Sequence, residues 1–104
     1  MSDDAKYISD GHQRLLGLIK ALAGHEVNGL APAQIAKANN CSAPAVTRDL
    51  ANLKAQGFAE QITDTGRWRL GPAMVQIATS FATGLTRAST RLAEVQNRYT
   101  RSAD

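Results

Sequence analysis

Arginine dominates the chemistry that this sequence can perform. Eight of the twelve basic residues are arginines, and the planar guanidinium group suits forked contacts with phosphate and guanine. Residues 1–36 carry three basic and four acidic side chains, whereas residues 37–104 carry nine basic and five acidic ones. The second part of the chain therefore predicts a basic surface and favours a polyanionic partner such as nucleic acid. A solvated face with a mild excess of charge is the alternative.

Catalytic and metal-binding patterns are weak in comparison. His12 and His25 have no Cys, Asp or Glu at ligand spacing apart from the adjacent Glu26, so no zinc site is predicted. Cys41 is the single cysteine, and without a nearby histidine it is interpreted as a packed thiol rather than a nucleophile. No phosphate-binding glycine loop or nucleophile elbow is present. The sequence predicts a non-enzyme without a metal or cofactor.

The length and composition indicate one small domain and one extra element. The chain has 104 residues, of which 43% are hydrophobic and 20% are charged. It has no apolar run of the ~18 residues that span a bilayer and no signal-peptide pattern at its acidic start. A single cysteine suits a reducing compartment. We expect a cytoplasmic protein associated with the nucleoid, with no membrane partner.

Two helices joined to a third by a tight turn give the pattern of a helix-turn-helix. The first begins at Ser9 or Asp10 and ends at Gly24. Its predicted core face is Leu15, Leu16, Ile19, Leu22 and Ala23. The second begins at Pro32, buries Ile35, and ends after about two turns at Asn39-Asn40.

The third helix carries the candidate DNA-reading residues. It begins after Ser42, a good N-cap, and runs to about Gln56, with Gly57 beyond its end. Val46, Leu50 and Leu53 define its core face. At 100° per residue the small and polar side chains fall opposite that face. The candidate recognition residues are Ser42, Pro44, Thr47, Arg48 and Asn52. An ordinary surface helix is the alternative.

A β-hairpin follows directly. Phe58–Ile62 has strand character, Thr63–Gly66 is a turn, and Arg67-Trp68-Arg69-Leu70 alternates strictly. Trp68 and Leu70 are predicted to face the core, while Arg67 and Arg69 face outward. Such a ribbon after a helix-turn-helix is typical of a wing that contacts the phosphate backbone or the minor groove.

The remainder of the chain predicts a helical oligomerisation arm. Apolar residues recur close to a heptad seam. The candidate oligomerisation residues are Phe81, Leu85, Leu92, Val95 and Tyr99. One continuous helix and two helices broken near Gly84 both fit the pattern. A homodimer or higher homo-oligomer would cover the seam, whereas an arm folded back on its own domain is the alternative.

These elements predict a mainly α fold with a small β-hairpin, a winged helix-turn-helix followed by a long or broken C-terminal helix. The predicted divisions are an N-terminal tail over 1–8, a winged helix-turn-helix domain over 9–72 and a helical oligomerisation arm over 73–104. Neither an internal repeat nor a Gly/Ser linker separates them.

Four blocks of sequence between Gln13 and Met74 carry a resemblance to a known family. They are Arg14-Leu15-Leu16-x-Leu18-Ile19, Gly29-Leu30-Ala31-Pro32-Ala33-Gln34-Ile35-Ala36, Val46-x-Arg48-x-Leu50-x-x-Leu53-x-x-x-Gly57 and Thr65-Gly66-Arg67-Trp68-Arg69-Leu70-Gly71-Pro72. The last block, an aromatic residue between two basic ones and then Leu-Gly-Pro, is the most specific. Together they resemble the DNA-binding domain of the IclR-type family of bacterial transcription regulators. The resemblance implies that the third helix reads DNA and that the hairpin is the wing.

The sequence departs from that family's pattern in three places. Pro44 and Ala45 stand where the family often has a Ser-Thr pair, so no relative's operator is transferred to this chain. Asn40 stands where the turn usually has glycine, and asparagine tolerates the left-handed conformation. The family continues into an effector-binding domain, whereas this sequence ends at residue 104, so no small-molecule effector is expected. Short proteins of this kind are found in bacteriophages and prophages.

The function predicted from these features is a sequence-specific, double-stranded-DNA-binding transcriptional regulator. Two alternatives remain at this point. One is a sequence-tolerant architectural protein that coats DNA through phosphate contacts alone. The other is a winged-helix adaptor that binds another protein.

Overall fold

Three short helices and a hairpin form the first unit of the structure, and one long helix forms most of the second. The computed structural model describes residues 3–102, so the first two residues of the predicted tail and the last two of the arm lie outside the described residues. The elements are a 3-10 helix at Asp3–Tyr7, α1 (Asp10–Leu22), α2 (Pro32–Ala38), α3 (Ala43–Ala55), β1 (Ala59–Gln61), β2 (Trp68–Leu70) and α4 (Pro72–Ser102). The predicted fold class is confirmed.

Local sequence signals explain where the helices begin. The chain has three prolines, and each lies in the first turn of a helix: Pro32, Pro44 and Pro72. The missing proline N–H costs nothing there, because the first turn has no intrahelical acceptor for it. Ser9 and Ser42 cap α1 and α3, each accepting the backbone N–H three residues later at 3.3 Å. The predicted starts of α1, α2 and α3 are confirmed.

The core lies between the three short helices and the hairpin. Its buried members are Leu18, Leu22, Ile35, Val46, Leu50, Leu53, Ala59 and Trp68. The predicted face of α1 was partly wrong, because Leu16 is 51% exposed and Ala23 is exposed, whereas Leu18 is fully buried. At 100° per residue Leu18 and Leu22 point within 40° of each other, whereas Leu16 points at least 120° away from both.

The turn between α2 and α3 takes the shape expected for a helix-turn-helix. Asn40 has a φ of 50°, so the asparagine adopts the left-handed conformation predicted for it. Asn39 donates its side-chain amide to the Ile35 carbonyl at 3.0 Å, which satisfies the end of α2. Cys41 is half-buried and packs against the core, in agreement with the packed thiol inferred from the sequence.

The hairpin is shorter than predicted, and it also pairs with a third segment of the chain. β1 and β2 are antiparallel, with Ala59 opposite Leu70 and Gln61 opposite Trp68. Leu30 exchanges both backbone hydrogen bonds with Trp68 at 2.8 Å, which the sequence did not indicate. Trp68 is buried and Leu70 packs against the core, so the predicted alternation is confirmed for these two residues.

The two ends of the hairpin meet at a pair of glycines. Gly57 follows α3 with a φ of 77°, a conformation that side chains rarely adopt. A Cβ atom at Gly71 would collide with the Gly57 carbonyl. The same carbonyl accepts the Ala73 N–H at 3.0 Å. Glycine at both positions therefore allows the hairpin to close on the end of α3.

The second unit begins at Val75 and consists of the continuation of α4. α4 is one α-helix from Pro72 to Ser102, so the structure favours the continuous arm over a break at Gly84. At 1.5 Å per residue it is about 46 Å long. None of the described helices is apolar over a length that would cross a membrane.

Candidate nucleic-acid interface

α3 separates a buried side from an exposed side. Ala45, Val46, Asp49, Leu50 and Leu53 are buried. The opposite side carries exposed small and polar residues, namely Pro44, Thr47, Arg48, Ala51, Asn52 and Ala55. The predicted division of faces is therefore found in the structure. It leaves a polar helix surface free to enter a groove of a nucleic acid.

The polar side chains of this surface differ in what they can offer to a base. Thr47 donates its hydroxyl to the Ala43 carbonyl at 3.1 Å, and Asn52 donates its amide to the Arg48 carbonyl at 2.8 Å. Their oxygens remain as acceptors. Within residues 3–102 the Arg48 guanidinium forms no hydrogen bond or ion pair. Arg48 is thus the strong donor of this surface.

A forked ion pair holds α3 against α1. Arg14 donates to both carboxylate oxygens of Asp49, at 2.6 and 3.0 Å. The Asp49 side chain is 8% exposed and the Arg14 side chain 29%. The hydrogen bonds from Arg14 to Asp49 raise the pKa of the guanidinium further above its ordinary value. The pair satisfies the only charged side chain among the buried residues of the described chain.

The buried role of Asp49 was not predicted from the sequence. A usable signal was present, because Asp49 stands one turn along from Val46 on the core stripe of α3. A charge at such a position requires a partner from another element. Arg14, one turn before the buried Leu18 on the same side of α1, was the available cation.

The wing arginines are occupied within the protein rather than freely exposed. Arg67 is half-buried and donates to the Gln34 side chain at 3.1 Å and to the Gly29 carbonyl at 3.4 Å. Gln34 also accepts the Ala31 N–H at 2.9 Å, so one carboxamide oxygen joins the start of α2 to the wing. The sequence predicted that Arg67 faces outward, whereas in the structure its guanidinium group is held by Gln34 and Gly29.

Arg69 is held by acidic and carbonyl oxygens. It donates to the Glu60 carboxylate at 2.7 Å and to the Glu26 carbonyl at 3.4 Å. Both members of the Arg69–Glu60 pair are more than a third exposed, so the pair is weak by itself. The Glu26 carboxylate accepts the Gly24 N–H, which lowers its pKa. Glu60 therefore offsets one of the two positive charges that the sequence assigned to the wing.

The predicted oligomerisation residues lie on α4 with nothing covering them in the described chain. Phe81, Leu85, Leu92, Val95 and Tyr99 are between 43% and 77% exposed. Val75 and Ile77 are exposed as well. Across residues 3–102 no three His, Cys, Asp or Glu side chains lie close enough to hold a metal ion.

Solved structures share this fold. An IclR family transcriptional regulator from Brucella abortus matches with a TM-score of 0.66 and 20% identity, over 82% of this chain and 31% of that chain. Pseudomonas aeruginosa HmgR matches with a TM-score of 0.61 and 25% identity, over 69% and 29% of the two chains. S. aureus MepR bound to ethidium bromide matches with a TM-score of 0.54 and 20% identity, over 84% and 64%.

The fold therefore belongs to the winged helix-turn-helix class. The resemblance to IclR-type regulators inferred from the wing motif is confirmed as a likeness of fold. The chain spans about a third of the length of the first two proteins that it matches. No protein-family model and no curated protein sequence matches it.

Removing Arg14 and removing Asp49 should lower the stability of the protein by different amounts. Arg14→Ala leaves a buried carboxylate without a partner, whereas Asp49→Ala leaves a partly exposed guanidinium that water can solvate. We expect Arg14→Ala to lower the Tm by about 4–8 °C or more, and Asp49→Ala to lower it less. Asp64→Ala, in the exposed wing turn, is the control and should shift the Tm by less than about 3 °C. Equal, small shifts in all three variants would contradict a positioning role for the pair.

Proposed function

We propose that this protein is a sequence-specific, double-stranded-DNA-binding transcriptional regulator. The observation that carries the proposal is the exposed polar surface of α3, held in place by a buried opposite face within a winged helix. The fold likeness supports it, because one matching structure is a transcriptional regulator. A regulator of this kind acts in the cytoplasm at the nucleoid.

In the proposed complex α3 enters the major groove. B-form DNA accommodates an α-helix there, and each base pair presents a distinct donor and acceptor pattern. Arg48 is the candidate for a forked contact with the O6 and N7 atoms of guanine. Thr47 and Asn52 offer acceptors suited to the amino groups of cytosine or adenine. Ser42 and Pro44 lie at the helix end that enters the groove.

The wing is proposed to contact the backbone or the minor groove through Arg67 and Arg69. Each arginine must exchange an internal partner for a phosphate. Arg69 leaves a carboxylate, so a second charge, that of Glu60, remains beside the phosphate and weakens the contact. The wing is therefore expected to contribute less affinity than two free arginines would.

Selection of bound sequences from a random duplex pool tests the proposal. Enrichment of a defined sequence supports base reading, and a palindrome would further indicate two half-sites. Retention of duplexes without enrichment would favour the coating protein. Failure to retain any duplex at about 50 mM salt would overturn the DNA-binding function and favour the adaptor.

The division of work between bases and phosphates gives a prediction for Arg48. Arg48→Ala should weaken binding to the selected duplex by about 1–3 kcal/mol and have a much smaller effect on random duplex. Lys54→Ala removes the same charge from an exposed position near the end of α3, about 120° around the helix from Arg48, and is the matched control. Electrophoretic titration of both duplexes measures the difference. Equal losses on the two duplexes for Arg48→Ala would assign the residue to the phosphate backbone instead.

The internal pair of the wing gives a second prediction. Glu60→Gln releases Arg69 and removes a carboxylate from the wing, so affinity for selected and random duplex should rise together. The slope of log K against log salt should become steeper by about one unit per wing. Asp10→Asn, at the start of α1, is the control of equal charge change. In the double variant Glu60→Gln/Arg69→Ala the steeper salt slope should disappear. If the double variant keeps the higher affinity and the steeper slope, Arg69 is not their source.

We also propose that α4 forms a homodimer through its apolar residues. A single helix of this length, rich in Thr and Ser, is marginal in water unless its apolar side is covered. Burial contributes about 1.5–3 kcal/mol for each large side chain that becomes fully buried. Four arginines near the single acid Glu94 disfavour a parallel, in-register pair, because like charges would face each other. A crossed or antiparallel pair of α4 helices is therefore favoured. Such a dimer would bind two half-sites of the DNA at the same time.

Charge placed on the seam tests the dimer. Phe81→Glu combined with Leu92→Glu should give a monomer by sedimentation at micromolar concentration and weaken DNA binding by loss of avidity. Thr79→Glu combined with Asn97→Glu adds the same charges to the opposite side of α4 and should leave the dimer intact. Glutamate is a good helix former, so both variants keep α4. A dimer that persists in the Phe81/Leu92 variant, or in a chain truncated after Gly84, would refute this interface.

A further inference from the structure

The charges of α4 are confined to one part of the helix. From Pro72 to Thr86 the sequence contains no charged residue. From Arg87 to Arg101 it contains four arginines and one acid, Glu94. All of the residues from 87 to 101 are exposed. The distal half of α4 is therefore a basic helix that begins where the uncharged half ends.

The four arginines also lie on one side of the helix. At 100° per residue, Arg87, Arg91, Arg98 and Arg101 fall within an arc of about 80°, which we call the arginine stripe. The centre of this stripe is about 120° away from the apolar seam that contains Leu85 and Leu92. The stripe thus lies to one side of the residues that a second copy of α4 would cover.

Three of the four arginines of the stripe have no neutralising partner among residues 3–102. Within the described residues Arg87, Arg91 and Arg101 form no hydrogen bond or ion pair. Arg87 and Arg91 are one turn apart, as like charges that repel each other. Glu94 is the one acid of the stripe. An ordinary solvated face with alternating charges has no such repulsion. Here a bound polyanion would relieve it.

We propose that the arginine stripe is a second nucleic-acid-binding surface, which contacts backbone phosphates without reading sequence. Its length from Arg87 to Arg101 is about 21 Å, which is enough to reach several phosphates of one strand or the two sides of a groove. Thr90 lines a shallow depression together with Arg87, Arg91 and Glu94, and its hydroxyl can donate to a phosphate oxygen. The neighbouring Thr86 hydroxyl already donates to the Ala82 carbonyl at 3.1 Å. The choice of duplex DNA as the polyanion rests on the proposed function of α3.

The use of arginine favours nucleic acid over a lipid surface. No lysine follows Lys54 in the sequence, so every cation of α4 is a guanidinium group. Arginine forms forked contacts with phosphate, whereas adhesion to an anionic bilayer needs only charge. A bilayer would also require the apolar seam, which the proposed dimer covers.

Neutralising the stripe without Arg98 gives a matched experiment. The triple variant R87Q/R91Q/R101Q loses three charges from the stripe, and K6Q/K20Q/K54Q loses three charges from exposed lysines elsewhere. Gln is a good helix former, and far-UV circular dichroism should confirm that α4 is retained. On random duplex the stripe variant should flatten the slope of log K against log salt by about 2.7 units per chain, at about 0.9 per phosphate contact. The lysine variant should change it much less.

The ratio of affinities for selected and random duplex separates this proposal from the function of α3. It should stay the same in the stripe variant and fall in Arg48→Ala. A chain that prefers no sequence but shows the flattened slope would refute sequence reading and keep the stripe. A stripe variant whose slope equals that of the lysine variant would overturn the stripe and keep α3. Vesicles of phosphatidylcholine and phosphatidylserine should not bind the protein. If they do bind, and the stripe variant loses vesicle binding but keeps its DNA binding, the proposed nucleic-acid surface is overturned.

Discussion

A carboxylate stands in the middle of the core side of α3, and it is tolerated there because Arg14 reaches it from α1 with two hydrogen bonds. An unpaired buried charge would drive α3 to rotate toward water. With the pair formed, Val46 and Leu50 stay buried and the opposite side stays exposed. The directional fork also limits how α3 can slide on α1, which apolar contacts alone do less well. The surface offered by Arg48 and Asn52 depends on this arrangement.

A small number of polar contacts also attaches the wing to the helices. Leu30 pairs with Trp68 through the backbone, and the Gln34 side chain serves both the start of α2 and Arg67. These contacts make the wing part of the helical core rather than a free ribbon. They also mean that a phosphate must compete with an existing partner at Arg67. The contacts that hold the wing in place therefore also lower its affinity for phosphate.

α4 presents the reverse situation, because little in the described chain covers it. Its apolar seam and its arginine stripe run along different sides of one helix, and each is unfavourable when left alone in water. A second copy can cover the seam, and a polyanion can neutralise the stripe. These two requirements do not compete for the same side chains. The seam runs through both halves of α4, whereas the stripe lies only in the half that begins at Arg87.

The sequence alone determined the elements whose causes are local. Prolines in the first turn, serine caps, Asn40 and Gly57 each act within a few residues, so α2, α3 and the turn between them were predicted closely. The faces of α3 followed from its 3.6-residue period. These features also carried the winged-helix assignment.

Only the tertiary structure decided which distant groups meet. Arg14 and Asp49 are 35 positions apart, and Arg67 and Gln34 are 33 apart, so no local pattern joins them. The burial of Leu18 in place of Leu16 was decided by which side of α1 the other helices contact. The partners of the wing arginines had the same origin. Side-chain charge is a property of the sequence, but the availability of that charge to a ligand depends on what the fold brings beside it.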